Sequence, residues 1–79
     1  MFQAMIDEPG YSRTKDFTLK EDCREYLRKC IEYHFVVQSE LHANVERLEN
    51  DLNEASENLS RNNYAYFLGN YYGINNEGR

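Results

Sequence analysis

Between Leu19 and Leu59 the chain contains neither glycine nor proline, and within that stretch Leu41, Val45, Leu48, Leu52, Ala55 and Leu59 recur at steps of four, three, four, three and four. That rhythm matches the a/d seam of a coiled coil, and the surrounding Leu, Glu, Arg, Asn and Ala are favoured or tolerated in helices. A single helix of about 40 residues would be roughly 60 Å long at ~1.5 Å per residue. The rest of a 79-residue chain cannot cover such a rod. Its apolar stripe therefore calls for a partner, and the spacing predicts a homodimer whose interface is Leu41, Val45, Leu48, Leu52, Ala55 and Leu59. Small scaffolds commonly supplement a limited core by oligomerisation, which points the same way.

Continued backwards, the frame runs through Leu27, Ile31, His34 and Gln38, so two polar residues fall on the seam. Polar seam residues either fix register and strand number or mark a break near 35–40, where His34-Phe35-Val36-Val37 is poor in helix formers. The helix is expected to open at Thr18-Leu19-Lys20-Glu21, which has the pattern of a capping box. A second stripe of Leu19, Cys23, Tyr26, Cys30, Tyr33 and Val37 widens the apolar arc of the N-terminal half. The predicted fold is accordingly all-α with one long amphipathic helix in a coiled-coil-like homodimer. It forms a single domain of three parts: an arm and turn at 1–17, the helix at 18–61, and a tyrosine-rich tail at 62–79. Met1 to Ile6 read as a short strand or an extended arm before a turn at Asp7-Glu8-Pro9-Gly10. The helix either ends near 61 or persists into the tail to Leu68 with Gly69 as its stop, and 75–79 are expected to lack fixed structure.

The formal charge of −5 and pI near 4.9 disfavour direct binding to nucleic acid or anionic membranes. No apolar run approaches the length of a membrane span, and no charged-then-apolar leader opens the chain, so a reducing, cytoplasmic setting is expected. Cys23 and Cys30 are too far apart on one helix for a disulfide. Cys30 and His34, four apart, have a spacing that can direct two ligands at a metal; the ordinary alternative is a buried thiol beside a seam histidine. A nucleophilic Cys-His pair would lack an oxyanion donor nearby, and the carboxylates are strung along a helix instead of gathered round a pocket. Asn58-Leu59-Ser60 has the glycosylation pattern but places Leu59 on the seam. No catalytic group, metal or cofactor is expected, and the chain reads as a non-enzyme.

Charge is unevenly distributed. Residues 36–62 hold Glu40, Glu46, Glu49, Asp51, Glu54 and Glu57 against Arg47 and Arg61, whereas residues 1–35 are nearly neutral. Carboxylates at helical spacing can imitate the phosphates of a DNA backbone, although a charged solvated face is also what any coiled coil displays. In the tail, Tyr64, Phe67, Leu68 and Tyr71 read either as an interface hot spot or as a cluster folded back on Tyr26, Cys30, Tyr33 and Val37. The acidic segment Leu41-His42-Ala43-Asn44-Val45-Glu46-Arg47-Leu48-Glu49-Asn50-Asp51-Leu52 resembles the small acidic host-takeover proteins of bacteriophages. Some of these are DNA mimics that block basic proteins such as HU nucleoid proteins. The resemblance implies a homodimeric inhibitor in the host cytoplasm, with Glu46, Glu49, Asp51, Glu54 and Glu57 contacting a basic, DNA-binding partner. The alternative is a coiled-coil adaptor or assembly subunit that docks through the tyrosine-rich C-terminal segment.

Overall fold

Alternation governs the first residues of the chain: Phe2, Ala4 and Ile6 fall on one side, Gln3, Met5 and Asp7 on the other, which is the period of a strand. A computed structural model, which describes residues 1–41 and 43–76, makes Phe2–Glu8 the strand β1 and returns it as β2, Tyr11–Phe17. Pro9-Gly10 form the two-residue connection, with Gly10 at φ +79, as a type II turn requires of its third residue. The pairing runs in register from Phe2 opposite Phe17 to Glu8 opposite Tyr11. Two helices follow, α1 (Lys20–Ser39) and α2 (Val45–Asn62), and then a second hairpin, β3 (Tyr64–Phe67) and β4 (Asn70–Asn76).

The four strands form one antiparallel sheet in the order β2-β1-β4-β3. Its centre is the pairing of β1 with β4, from Phe2 opposite Asn76 to Asp7 opposite Tyr71. Both helices cover one face, with α1 chiefly over β1 and α2 over β3 and beside α1. The core between the layers is Ala4, Ile6, Cys23, Leu27, Ile31, Leu48, Ala55, Leu59, Ala65, Phe67 and Tyr72. Tyr72 is fully buried, and Asn70, also buried, donates through Nδ2 to its hydroxyl at 3.3 Å. Burial pushes the Tyr72 phenol above its usual pKa, against a smaller opposing effect of the Asn70 bond.

The fold is thus α+β, and the all-α coiled coil expected from the heptad spacing is corrected. The long helix ends at Ser39, and a second starts at Val45. At the break, Ser39 Oγ donates to the Val36 carbonyl at 2.9 Å and the Leu41 amide donates to Gln38 at 2.9 Å, tightening the last turn of α1. Asn44 then caps α2, its side-chain oxygen accepting from the Arg47 amide at 3.1 Å. Folding back lets the stripe assigned to a dimer seam cover the chain's own sheet. Leu48, Ala55 and Leu59 are buried in the core, Leu52 packs against it, Val45 is half-buried, and Leu41 is 75% exposed ahead of α2. Seen from solvent, Glu46, Glu49, Asp51, Glu54 and Glu57 occupy one helix of a two-layer domain and not an elongated rod.

Smaller expectations are corrected as well. The helix begins at Lys20 with Leu19 as its cap and no side-chain capping bond, so Thr18 does not play the capping-box role. α2 does not continue to Leu68. Asn63 adopts the left-handed conformation at φ 63, its amide bonds the Leu59 carbonyl and its own carbonyl accepts from Ile74 at 2.8 Å, which stops the helix and ties it to β4. Gly69 instead shares the β3–β4 turn with Leu68, both at positive φ of 81 and 55, the signature of a type I′ hairpin. β4 extends through Asn75 and Asn76; the remaining residues of the tail expected to lack structure lie outside those described. Cys23 and Cys30 are free thiols, and neither helix is long and apolar enough to cross a membrane.

Two outcomes follow from this packing. Leu59→Ala should cost about 2–5 kcal/mol in urea unfolding, as for a fully buried leucine, with a wild-type midpoint that does not depend on protein concentration. Leu68→Asn, which suits the left-handed turn position, should raise stability by up to about 1 kcal/mol and lift the thermal midpoint.

Candidate partner-binding surface

An antiparallel sheet covered on one side leaves every second residue of each strand on the other. The register places Ser12, Asp7, Tyr71 and Tyr66 in one row across this open face, Thr14, Met5, Gly73 and Tyr64 in the next, and Asp16, Gln3 and Asn75 in a third. Alternation in the tail therefore separates its aromatics. Ala65, Phe67 and Tyr72 turn into the core, while Tyr64, Tyr66 and Tyr71 stand outside.

The three outer rings touch one another. Tyr66 and Tyr71 have centroids 5.3 Å apart at 58°, Tyr64 and Tyr71 lie at 6.4 Å and 25°, and Tyr64 and Tyr66 meet edge-on at 6.3 Å. Tyr66 is 65% exposed and Tyr64 46%. Tyr71 is half-buried because its ring lies over Gly73, where an added Cβ would stand 2.8 Å from the Tyr71 Cζ. Glycine at 73 is thus the condition for this close packing of the tyrosine rings; any side chain there would lift the Tyr71 ring.

Carboxylates border the platform. Asp7 is the cross-strand neighbour of Tyr71, and its Oδ1 accepts from Ser12 Oγ at 2.8 Å. On the opposite side, where β3 meets α2, Asp51, Glu54 and Asn58 line a cleft of about 290 Å³ together with Tyr66, Phe67, Leu68 and Gly69. Among the described residues, every lysine and arginine lies on the helices or on the helix side of β2, so the open face carries acids and no lysine or arginine. A surface of this kind offers apolar ring area with hydrogen-bonding tips, bounded by negative charge.

Of the five acids singled out in the sequence, the structure brings Asp51 and Glu54 into the cleft beside Tyr66, at the sheet edge where β3 meets α2. Glu46, Glu49 and Glu57 are exposed elsewhere on α2, and Glu57 holds Arg61 at 2.7 Å. The proposed hot spot of Tyr64, Phe67, Leu68 and Tyr71 is divided: Phe67 is core, Leu68 is turn, and Tyr64 and Tyr71 join Tyr66 on the surface. These outer tyrosines do not fold back on Tyr26 and Cys30; Tyr26 packs on Phe17 at 5.4 Å instead. Asp7 and Gly73 were not identifiable as site residues before the register was known. Cys30 and His34 stand on the far side of the sheet, His34 Nε2 lying 3.3 Å from Glu8, and no cluster of three metal-ligating side chains occurs among the described residues. The chain matches no protein-family model, no curated protein and no solved structure.

Gly73→Ala should destabilise the fold by about 1–3 kcal/mol through overpacking against the Tyr71 ring. Most of that loss should vanish in the Gly73→Ala, Tyr71→Ala double variant. A double-mutant cycle in urea checks this coupling.

Proposed function

We propose that this is a non-enzymatic binding protein that docks a basic, nucleic-acid-binding protein on the tyrosine face of its open sheet. The observation that carries the reading is the platform of Tyr64, Tyr66 and Tyr71, bounded by Asp7, Asp51 and Glu54 and without lysine or arginine among the described residues. Surfaces that hold single-stranded nucleic acid combine lysine and arginine with stacking partners for bases. Tyrosine rings beside carboxylates present the complementary chemistry: guanidinium groups stack on the rings, and the carboxylates meet them as phosphates would. The partner's chemistry is the one expected from the acidic sequence, but the surface is a flat sheet face with a short acidic edge in place of a paired helical rod.

The experiment is capture from a bacterial lysate on immobilised wild-type protein, Tyr64→Ala with Tyr66→Ala, and Asp51→Lys with Glu54→Lys. Wild type should retain a basic protein that is eluted by high salt and displaced by added single-stranded DNA, and both double variants should lose it. Retention unaffected by the tyrosine substitutions would overturn the reading. Retention that needs the tyrosines yet ignores salt and the acids would replace it with a neutral docking surface.

A further inference from the structure

The helix layer leaves most of one strand uncovered. α1 leans over β1 and β4 more than over β2, and each residue from Tyr11 to Asp16 is exposed. Tyr11, Arg13 and Lys15 occupy the helix side of β2, opposite Glu8, Ile6 and Ala4 of β1. Between this shelf and α1 runs a cavity of about 520 Å³ walled by Arg13, Tyr26, Lys29, Cys30 and Tyr33.

Both ends of the trough are closed by contacts between sheet and helix. At one end Phe17 meets Tyr26 at 5.4 Å, with Lys15 Nζ 5.0 Å from the Tyr26 ring centre. At the other, Glu8 Oε1 lies 3.3 Å from His34 Nε2 and 3.5 Å from Arg13 Nη2. Cys30, hydrogen-bonded to Tyr26, forms the floor, and burial pushes its thiol above the usual pKa. Arg13, Lys15 and Lys29 outnumber the one carboxylate, Glu8, so the trough is locally positive in a chain of net charge −5.

We propose that this trough is a binding site for a small amphipathic organic anion, whose aromatic or branched body lies against Tyr26, Cys30 and Tyr33 while Arg13 and Lys29 hold its carboxylate. The volume falls within the roughly 300–1,000 Å³ of small-molecule pockets, with apolar walls and a few charged groups. Closure at both ends favours a compact molecule over a polypeptide running through. Arginine offers the forked donor geometry that a carboxylate accepts. The site is separate from the tyrosine face, on the opposite side of the sheet and of opposite sign.

The test titrates the isotope-labelled full chain with hydrocinnamate, its neutral amide hydrocinnamamide, and the cation phenethylamine, following backbone amide resonances. Hydrocinnamate should shift the amides of Arg13, Tyr26, Lys29, Cys30 and Tyr33 saturably, with the neutral amide about tenfold weaker and the amine weaker still. Arg13→Gln with Lys29→Gln should remove the preference for the carboxylate while the dispersed spectrum of a folded chain persists; Tyr66→Ala should change nothing. The proposal is overturned by equal affinity for the three probes, by shifts centred on Tyr64, Tyr66 and Tyr71, or by no saturable shift at millimolar concentration.

Discussion

The pairing of β1 with β4 is the contact on which the rest of the domain depends. Each hairpin alone is a two-stranded ribbon, which is at best marginally stable in water. Joined through Ile6 opposite Tyr72 and Ala4 opposite Ile74, they become a four-stranded sheet with an apolar face broad enough for two helices. The Asn63 carbonyl bond to Ile74 fixes the end of α2 to this same central strand. Strands near opposite ends of the sequence therefore meet at its middle, and the core between sheet and helices draws on residues of both.

That dependence explains why much of the fold could not be read in advance. The turn at Pro9-Gly10 was legible because local chemistry specifies it, whereas the sequence left Met1 to Ile6 open between a short strand and an extended arm. Helix over most of 20–39 and 45–62 was legible too. The leucine stripe of 41–59 was visible but its destination was not: a 3.5-residue seam and a 3.6-residue amphipathic stripe diverge by only ~20° per heptad. Burial against a second copy and burial against a distant strand leave the same pattern. β2 gave no signal, because Tyr11 to Asp16 are exposed on both faces and need no apolar alternation. In Tyr64-Ala65-Tyr66-Phe67 the inward residues are alanine and phenylalanine and the outward ones tyrosine, so aromaticity masks the period of two.

The candidate surface was legible in its ingredients and hidden in its assembly. Acids on α2 and tyrosines in the tail were both apparent, but only the β3–β4 hairpin carries Tyr66 back alongside Asp51 and Glu54. Gly73 acquires its meaning from the ring lying over it. The groove over β2 was masked by net charge, since an overall −5 conceals three cations gathered on one side of the sheet.

Replacing a rod by a domain of 45 × 26 × 15 Å changes which residues can carry recognition. Along a paired rod, many carboxylates would act together on a basic groove, and affinity would grow with the length in contact. On one helix of a compact domain, Glu46, Glu49 and Glu57 are exposed charges, individually worth little and screened within about 8 Å at physiological ionic strength. Rigid aromatic area is a different matter, because rings in contact lose little conformational freedom on binding and supply interface energy that salt does not remove. On the proposed reading, a cationic partner needs both the ring area of Tyr64, Tyr66 and Tyr71 and the carboxylates Asp7, Asp51 and Glu54 acting together, and salt releases it by screening the carboxylates.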